Sequence, residues 1–342
     1  METETIEGEF APAFERLLAE CHPLSLARSP VDASGRMSPA SRDLWRQLSE
    51  GGWLELGSAA MRAEVMAELP LLGAISGRFL LAVPFAFSAF VIAPLAEAAP
   101  AAMGKLLPAG TDARPVSGRL DVAQEDADPL PVDYFGDDAD YCQAVFGGDA
   151  VLVRRLHAQP FVSQGLDAGI AVSMIPKAGA SVAAEQKLEI GPRDAMRIIH
   201  PFLVFQYAHL IGAAAASLDL AIAYAKERVQ FRRPIGEFQA VKHLLANAWV
   251  ALDNGRYAVN AFSKASPADA GFHELLRLTD RMTAAGAKLA TQVAIQVHGA
   301  IGFAWEHNAH LYLKRVYRGA AQLTAFADRA GRLDGRPRCG CS

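Results

Sequence analysis

The chain has 342 residues, long enough to bury a sizeable core in one large or two to three smaller domains. Hydrophobic residues at 51% and charged residues at 20% form a globular mixture, which excludes disorder over most of the chain. A net charge of -4 gives nucleic-acid binding no electrostatic support.

The first residues, Met1-Glu2-Thr3-Glu4-Thr5-Ile6-Glu7, are acidic, the reverse of a signal peptide's basic start. Cys21 and Cys142 stand alone in the sequence and read as free thiols, so the expected compartment is the cytoplasm. Residues 1–107 carry helical signals and form an expected N-terminal helical domain. Within it, Ser38 is placed to cap a helix with Pro39 at its first position; Leu44, Trp45 and Leu48 form the buried face, and Gly51-Gly52 is the stop. Residues 79–96 carry no charge and approach the length of a bilayer crossing, but Pro84 and Pro94 interrupt them. A buried core helix broken near Pro84 is the expectation.

Residues 108–190 change to strands and turns, a small β domain. Residues 141–145 and 150–154 flank Phe146-Gly147-Gly148-Asp149, a hairpin pattern, and residues 169–176 form another short apolar run. Helical signals return from Ile198, and residues 191–330 form an expected C-terminal bundle. There Phe238, Val241, Leu244, Leu245, Ala248 and Leu252 keep the three-and-four spacing of one buried face. The small side chains of residues 212–225 suit a helix packed closely on several sides. Residues 331–342 are a tail, and Cys339-Gly340-Cys341 within it reads as a disordered end rather than a metal or redox pair. The resulting fold class is mainly α with a small central β domain.

Chemistry concentrates in the last part. Residues 224–239, read as YAKERVQFRRPIGEFQ, end one helix, turn at Pro234-Ile235-Gly236 and begin another. An Arg fork beside a fresh helix N-terminus suits a pyrophosphate. Charged residues at a helix connection are more often only solvated, so these residues alone leave both readings open. His307 and His310 beside Glu306 have helical spacing for a metal, yet no third ligand is evident, and His298 reads as packed or hydrogen-bonded. The sequence holds no G-x-S-x-G, P-loop or strand-following G-x-G-x-x-G, which argues against hydrolase, nucleotide-hydrolase and Rossmann chemistry.

The 224–239 segment resembles the R-x-Q-F-G-x-P-I…F-Q motif of the acyl-CoA dehydrogenases. Gln296-Val297-His298-Gly299-Ala300-Ile301-Gly302-Phe303 is similar to that family's Q-x-x-G-G-x-G-[FY] block. Trp305-Glu306-His307 and residues 311–315 resemble the shorter branch known from bacterial steroid side-chain catabolism, as does Asp138-Ala139-Asp140. Leu44-Trp45 with Gly52-Trp53, and Gly77-Arg78 with Val83-Pro84-Phe85, fit the family's N-terminal part. The resemblance implies the family's fold: an N-terminal helical domain, a β domain and a C-terminal four-helix bundle. It also implies flavin adenine dinucleotide (FAD) across a subunit interface. Arg228 would pair with the pyrophosphate, with Gln230, Phe231 and Gln239 alongside and Gln296 and Gly299 on the second cofactor block. Ala300 and Arg232 depart from the family's glycines.

In the family a carboxylate removes an α-proton from an acyl thioester while a β-hydride passes to the flavin. The local match to the family's Tyr-Glu-Gly-Thr segment is Tyr317-Arg318-Gly319-Ala320, which puts Arg318 where Glu is expected. A guanidinium cannot accept a proton at neutral pH. The alternative family position, a helix upstream of Arg228, reads IHPFLVFQ over residues 199–206, without a carboxylate; the next acid downstream is Asp219. No Thr-Glu-Pro flavin-facing motif occurs, and Gln124-Glu125-Asp126 is its nearest remnant. Three readings follow: a subunit without its own base that completes a partner's FAD site in a heterotetramer; a self-sufficient homo-oligomer using an acid such as Glu185 or Glu189; or a scaffold of the same fold holding neither flavin nor substrate.

Overall fold

The computed structural model describes residues 8–32, 35–107, 114–122, 130–133, 135–147, 150–157, 162–164, 167, 171–175 and 182–330. Residues 1–7, the segment Gln124-Glu125-Asp126, the turn residues 148–149 and the 331–342 tail with its two cysteines lie outside them.

The helical start contains α1 (Phe10–Cys21), α2 (Pro39–Glu50), α3 (Arg62–Arg78), α4 (Phe85–Phe87), α5 (Ala93–Ala98) and α6 (Pro100–Leu106). Helix α2 begins where sequence reasoning places it: Ser38 Oγ accepts the Ser41 N–H at 3.2 Å, and Pro39 occupies the first turn. Its Leu44, Trp45 and Leu48 face is buried. The apolar 79–96 stretch differs from expectation. Helix α3 stops at Arg78, Leu80 turns the chain at φ 53°, and a new helix runs Phe85–Ala98 with a π turn at Ser88–Ile92. Pro84 therefore precedes a helix rather than breaking one, because a helix cannot easily extend backward past the residue before a proline. The Phe85, Phe90 and Phe205 rings pack on one another with centroids 5.3–5.8 Å apart.

Among the described residues seven strands follow: β1 (Val116–Val122), β2 (Leu130–Asp133), β3 (Asp140–Phe146), β4 (Val151–Leu156), β5 (Val162–Gln164), β6 (Ala171–Ile175) and β7 (Val182–Leu188). They make a four-stranded sheet in the order β1-β3-β4-β7 and a three-stranded sheet in the order β2-β6-β5. The expected hairpin is β3–β4, with Phe146 opposite Val151 and Gly147 N–H donating to Ala150 O at 2.9 Å. Strand β1 runs parallel to β3, a pairing that no hairpin signal announces.

Helices α7 (Pro192–Glu227), α8 (Gln239–Ser263), α9 (Phe272–His298) and α10 (Ala309–Ala330) make the bundle, with the short strands β8 (Val229–Gln230) and β9 (Arg233–Pro234) between α7 and α8. Helix α7 starts six residues before Ile198, since Gly191, Pro192 and Asp194 supply a start signal stronger than the apolar periodicity. Contacts give the directions. Thr279 Oγ1 donates to Ala258 O at 3.3 Å while Gly286 meets Ala251, so α8 and α9 are antiparallel. Thr324 bonds Asp280 and Tyr317 bonds Gln292, so α9 and α10 are antiparallel as well. Along α8 the buried stripe is fully covered at Ala248 and Leu252 but only half-buried at Phe238, Val241, Leu244 and Leu245. Helix α7 is long and apolar enough to cross a membrane, yet 67% of its apolar window is buried against its neighbours.

Helix α3 meets α7 through glycine. A Cβ on Gly212 would lie 1.9 Å from Ala74 O, and one on Gly77 would lie 1.9 Å from His209 O. Only residues without a side chain allow this backbone approach. The contact brings α7 against α3 of the N-terminal helical part.

Candidate functional site

Two places carry chemistry: a surface at the helix ends, and a cleft between the β strands and the bundle. At the surface, α7 ends when Arg228 leaves the helical region at ψ 115°, its N–H still donating to Tyr224 O. The chain reverses through Phe231 and Arg232, both at positive φ (52° and 69°), between the paired strands β8 and β9. Two left-handed central residues define a type I′ turn, which favours glycine at its second position. Arg232 holds that position with a Cβ, so the turn stores strain on the order of 1 kcal/mol.

Helix α8 then begins after Phe238 with no side-chain cap and no acidic residue in its first turn, leaving its amide dipoles available at Gln239. Arg228, Gln230, Phe231 and Gln239 are all exposed, and among the described residues no carboxylate pairs with Arg228 or Arg232. Arg233 instead stacks its guanidinium 4.1 Å over the Phe238 ring.

The second sequence block lies beside the first. His298 at the end of α9 packs against Tyr224 (ring centroids 4.8 Å apart) and against His307 (4.3 Å). Its Nδ1 bonds Ala294 O at 2.7 Å, so it is a buried packing residue as expected. Gly299 closes α9 at φ 65°, ψ -141°, a conformation open essentially to glycine alone. Gln296 is exposed next to it. Tertiary structure thus joins blocks some seventy residues apart through the Tyr224–His298 contact. The loop that follows is fixed to the N-terminal half by Arg28, which donates to Trp305 O, to Glu306 O at 3.1 Å and to Asn308 Oδ1 at 2.7 Å. His307 Nδ1 accepts the Ala309 N–H, and among the described residues no metal-ligand cluster exists.

The cleft has a volume of about 370 Å³ and is walled by the 81–87 segment, β1, α7 and α10. Arg318 faces into it and pairs with Asp133. Burial pushes the Arg318 pKa down to about 10, which leaves it cationic at neutral pH. Asp121 also lines the cleft, held by Arg119 at 2.9 Å, Arg329 at 3.3 Å and Gln143 Nε2 at 2.9 Å. Deeper, Arg315 bonds Asp167 at 2.5 Å and Leu81 O at 3.0 Å.

Helix α7 presents Phe202, Phe205, Gln206, His209 and Leu210 to the cleft, with no carboxylate. The acids proposed from sequence stand elsewhere. Glu185 on β7 is paired with Arg154 of β4 at 2.6 Å, Glu189 is exposed at the end of β7, and neither lines the cleft. Asp219 likewise lies outside the cleft; burial raises its pKa, against the charges of Arg78 and Arg256. The cleft carboxylates that sequence reasoning missed are Asp121 and Asp133. Each is already engaged by arginine, so taking a proton would mean giving up an ion pair. Their only sequence signal is a place in or beside a short strand, too weak to single them out.

The family model described as "Acyl-CoA dehydrogenase, C-terminal domain" matches residues 193–327. The protein called acyl-CoA dehydrogenase IpdE2 from Mycobacterium tuberculosis is 32% identical over 322 residues, 91% of this chain and 93% of that one. Its namesake from Mycolicibacterium smegmatis is 35% identical over 188 residues, so there the match spans about half (55%) of either chain. Among solved structures, a Tcur3481-Tcur3483 steroid ACAD variant superposes with TM-score 0.71 at 19% identity, covering 95% of both chains. The ChsE4-ChsE5 complex from Mycobacterium tuberculosis gives 0.69 at 18%, covering 99% of both.

Proposed function

This chain belongs to the acyl-CoA dehydrogenase family of oxidoreductases, and from that premise we propose that it is an FAD-binding subunit without a base of its own, completing the cofactor site of a partner dehydrogenase. The observation that carries the reading is Arg318. A cation paired with Asp133 occupies the position where the resemblance calls for glutamate, and the other cleft acid, Asp121, is tied to two arginines. A missing general base forfeits about 100- to 10,000-fold in rate.

Three features of the helix-end surface support FAD as its ligand. Arg228 has no carboxylate partner among the described residues, the α8 N-terminus is uncapped, and Gly299 leaves space where a Cβ would project. In this reading Arg228 and the first amides of α8 hold the pyrophosphate, with Gln230, Phe231 and Gln239 around it and Gln296 and Gly299 along the adjoining edge. When bound, FAD supplies acceptance of the β-hydride as the acyl-CoA is desaturated; proton removal falls to the partner. Phe231, 88% exposed, and Phe303, 66%, flank this surface and suit cover by a second subunit. The two-name steroid ACAD and the ChsE4-ChsE5 complex support a heteromeric assembly, expected as a heterotetramer in the cytoplasm, and a bulky acyl group such as a steroid side chain.

The test is co-expression with a candidate partner dehydrogenase subunit that carries the catalytic glutamate. Alone, the chain is expected to bind little flavin and leave acyl-CoA unchanged; with the partner it turns yellow and active. Stoichiometric flavin and a typical turnover rate in the chain alone would overturn the proposal.

A further inference from the structure

We propose that residues 299–308 form an acid-sensitive latch, held in place by the unprotonated Nδ1 of His307 and released when that nitrogen takes up a proton. Ala309, the first residue of α10, donates its backbone N–H to His307 Nδ1 at 3.1 Å. A backbone N–H can only donate, so this Nδ1 is a bare acceptor and the ring carries no proton there. Asn308, directly before the helix, gives its Oδ1 to Arg28 at 2.7 Å. A histidine therefore satisfies the helix start, a task that more often falls to asparagine, aspartate or serine, of which asparagine and serine do not titrate.

Protonation costs this site more than one hydrogen bond. It sets a donor against a donor, and it puts positive charge at the N-terminus of a 22-residue helix, where the amide dipoles oppose it. The groups facing His307 have the same sign or can acquire it. From α9 comes His298, with ring centroids 4.3 Å apart; from α10 comes His310; from the N-terminal part comes Arg28. Burial first, and then these three groups, hold the His307 pKa below the ordinary histidine value. Among the described residues no carboxylate pairs with His307, and Glu306 beside it is exposed. His310 reinforces the arrangement. Its Nε2 donates to Trp305 O at 3.3 Å, and its buried Nδ1 has no partner among the described residues. Burial, Lys314 and Arg28 disfavour charge on it, and Asp167 favours it.

A released His307 titrates near 6.5 and the latched ring lower. The latch is therefore complete above about pH 6.5 and is lost as pH falls through the latched value, because release takes up a proton the closed form refuses. The freed loop begins at Gly299 and carries the exposed Phe303 and Trp305, so the helix-end surface changes with pH.

The test is hydrogen exchange of the full chain, read by mass spectrometry and corrected for the intrinsic pH dependence of amide exchange. Between about pH 7.5 and 5.5, opening of peptides covering residues 299–310 is expected to rise roughly three- to tenfold, the range that one proton taken up on opening allows. Peptides from α7 report global unfolding and should rise less. His307→Asn places an oxygen where Nδ1 stands and does not titrate, so its opening should stay at the parent's neutral level throughout. His307→Ala lacks the acceptor and should open at pH 7.5 as the parent does in acid; melting curves establish that both variants fold. No acid response in the parent, an equal rise in α7, a response that survives in His307→Asn, or full protection in folded His307→Ala overturns the proposal. Exchange needs neither flavin nor partner, so failure here is separate from failure of the two-subunit reading, which shows in the visible spectrum.

Discussion

Arg228 and His22 illustrate the two ways single residues act here, one by standing exposed at the surface and one by being buried. Arg228 projects from the end of α7 beside an uncapped helix start. A charge-assisted contact from it to a pyrophosphate is worth on the order of 1.5–3 kcal/mol. Arg228→Ala is therefore expected to weaken flavin retention in the complex by one to two orders of magnitude, read from the visible spectrum of dilution series, with the helical circular dichroism unchanged. His22 is fully buried, and burial lowers its pKa to about 4; His200, also near 4, and His209 behave alike. In the unfolded chain these groups titrate near 6.5. As pH falls below that value the unfolded chain takes up protons the folded chain refuses, so stability present above pH 6.5 is lost towards pH 4. For His22 the shift corresponds to roughly 3 kcal/mol. His22→Leu should lose less melting temperature than the parent between pH 7.5 and 5, whatever its stability at the upper pH. An unchanged difference would show that His22 already titrates normally in the folded chain.

At the scale of elements, the α3–α7 crossing rests on two glycines. Gly212 and Gly77 sit where an added methyl would overlap backbone oxygens at 1.9 Å, which side-chain repacking cannot relieve. Gly212→Ala is expected to destabilise by about 3 kcal/mol, the upper end for overpacking, measured by urea denaturation. Gly104, on α6, has nothing within 4 Å of its would-be Cβ, so Gly104→Ala should stabilise by about 0.5–1 kcal/mol. Opposite signs from one substitution type would identify contact, rather than helix propensity, as the cause. The Ala-rich run of residues 212–225 announces close packing in the sequence. Its partner does not, because which glycines of α3 face α7 depends on a crossing between segments more than a hundred residues apart.

The whole molecule presents exposed apolar side chains near the Arg228 surface, with Phe231 88%, Phe303 66%, Trp305 55% and Ile301 48% exposed. A monomer gains nothing from such a patch, whereas a subunit interface does. The proposed division of labour makes a further demand on the assembled protein. Activity of the co-expressed complex should vanish when the partner's glutamate becomes glutamine, yet persist through Glu185→Gln, Glu189→Gln and Asp121→Asn in this chain. Steady-state desaturation rates check this. Loss of turnover on changing one of these acids, with flavin content intact, would place the base here.

Sequence alone determined the helix–strand–helix order, the capped start of α2, the β3–β4 hairpin and the two motif blocks, because each rests on contacts between residues near in the chain. Arg318 was legible too, as a cation at a place where the family resemblance calls for glutamate. Tertiary structure alone decided the rest. It set β1 parallel to β3, brought Tyr224 onto His298, and paired Arg318 with Asp133, a residue in a strand with no motif of its own. It also brought His209 Nδ1 to 2.8 Å from Ser76 Oγ, 133 positions away. Periodicity and capping are local and repeat along the chain, so a sequence displays them. Ion pairs, tautomers and cavity walls depend on which distant side chains meet, and only the packed chain fixes that.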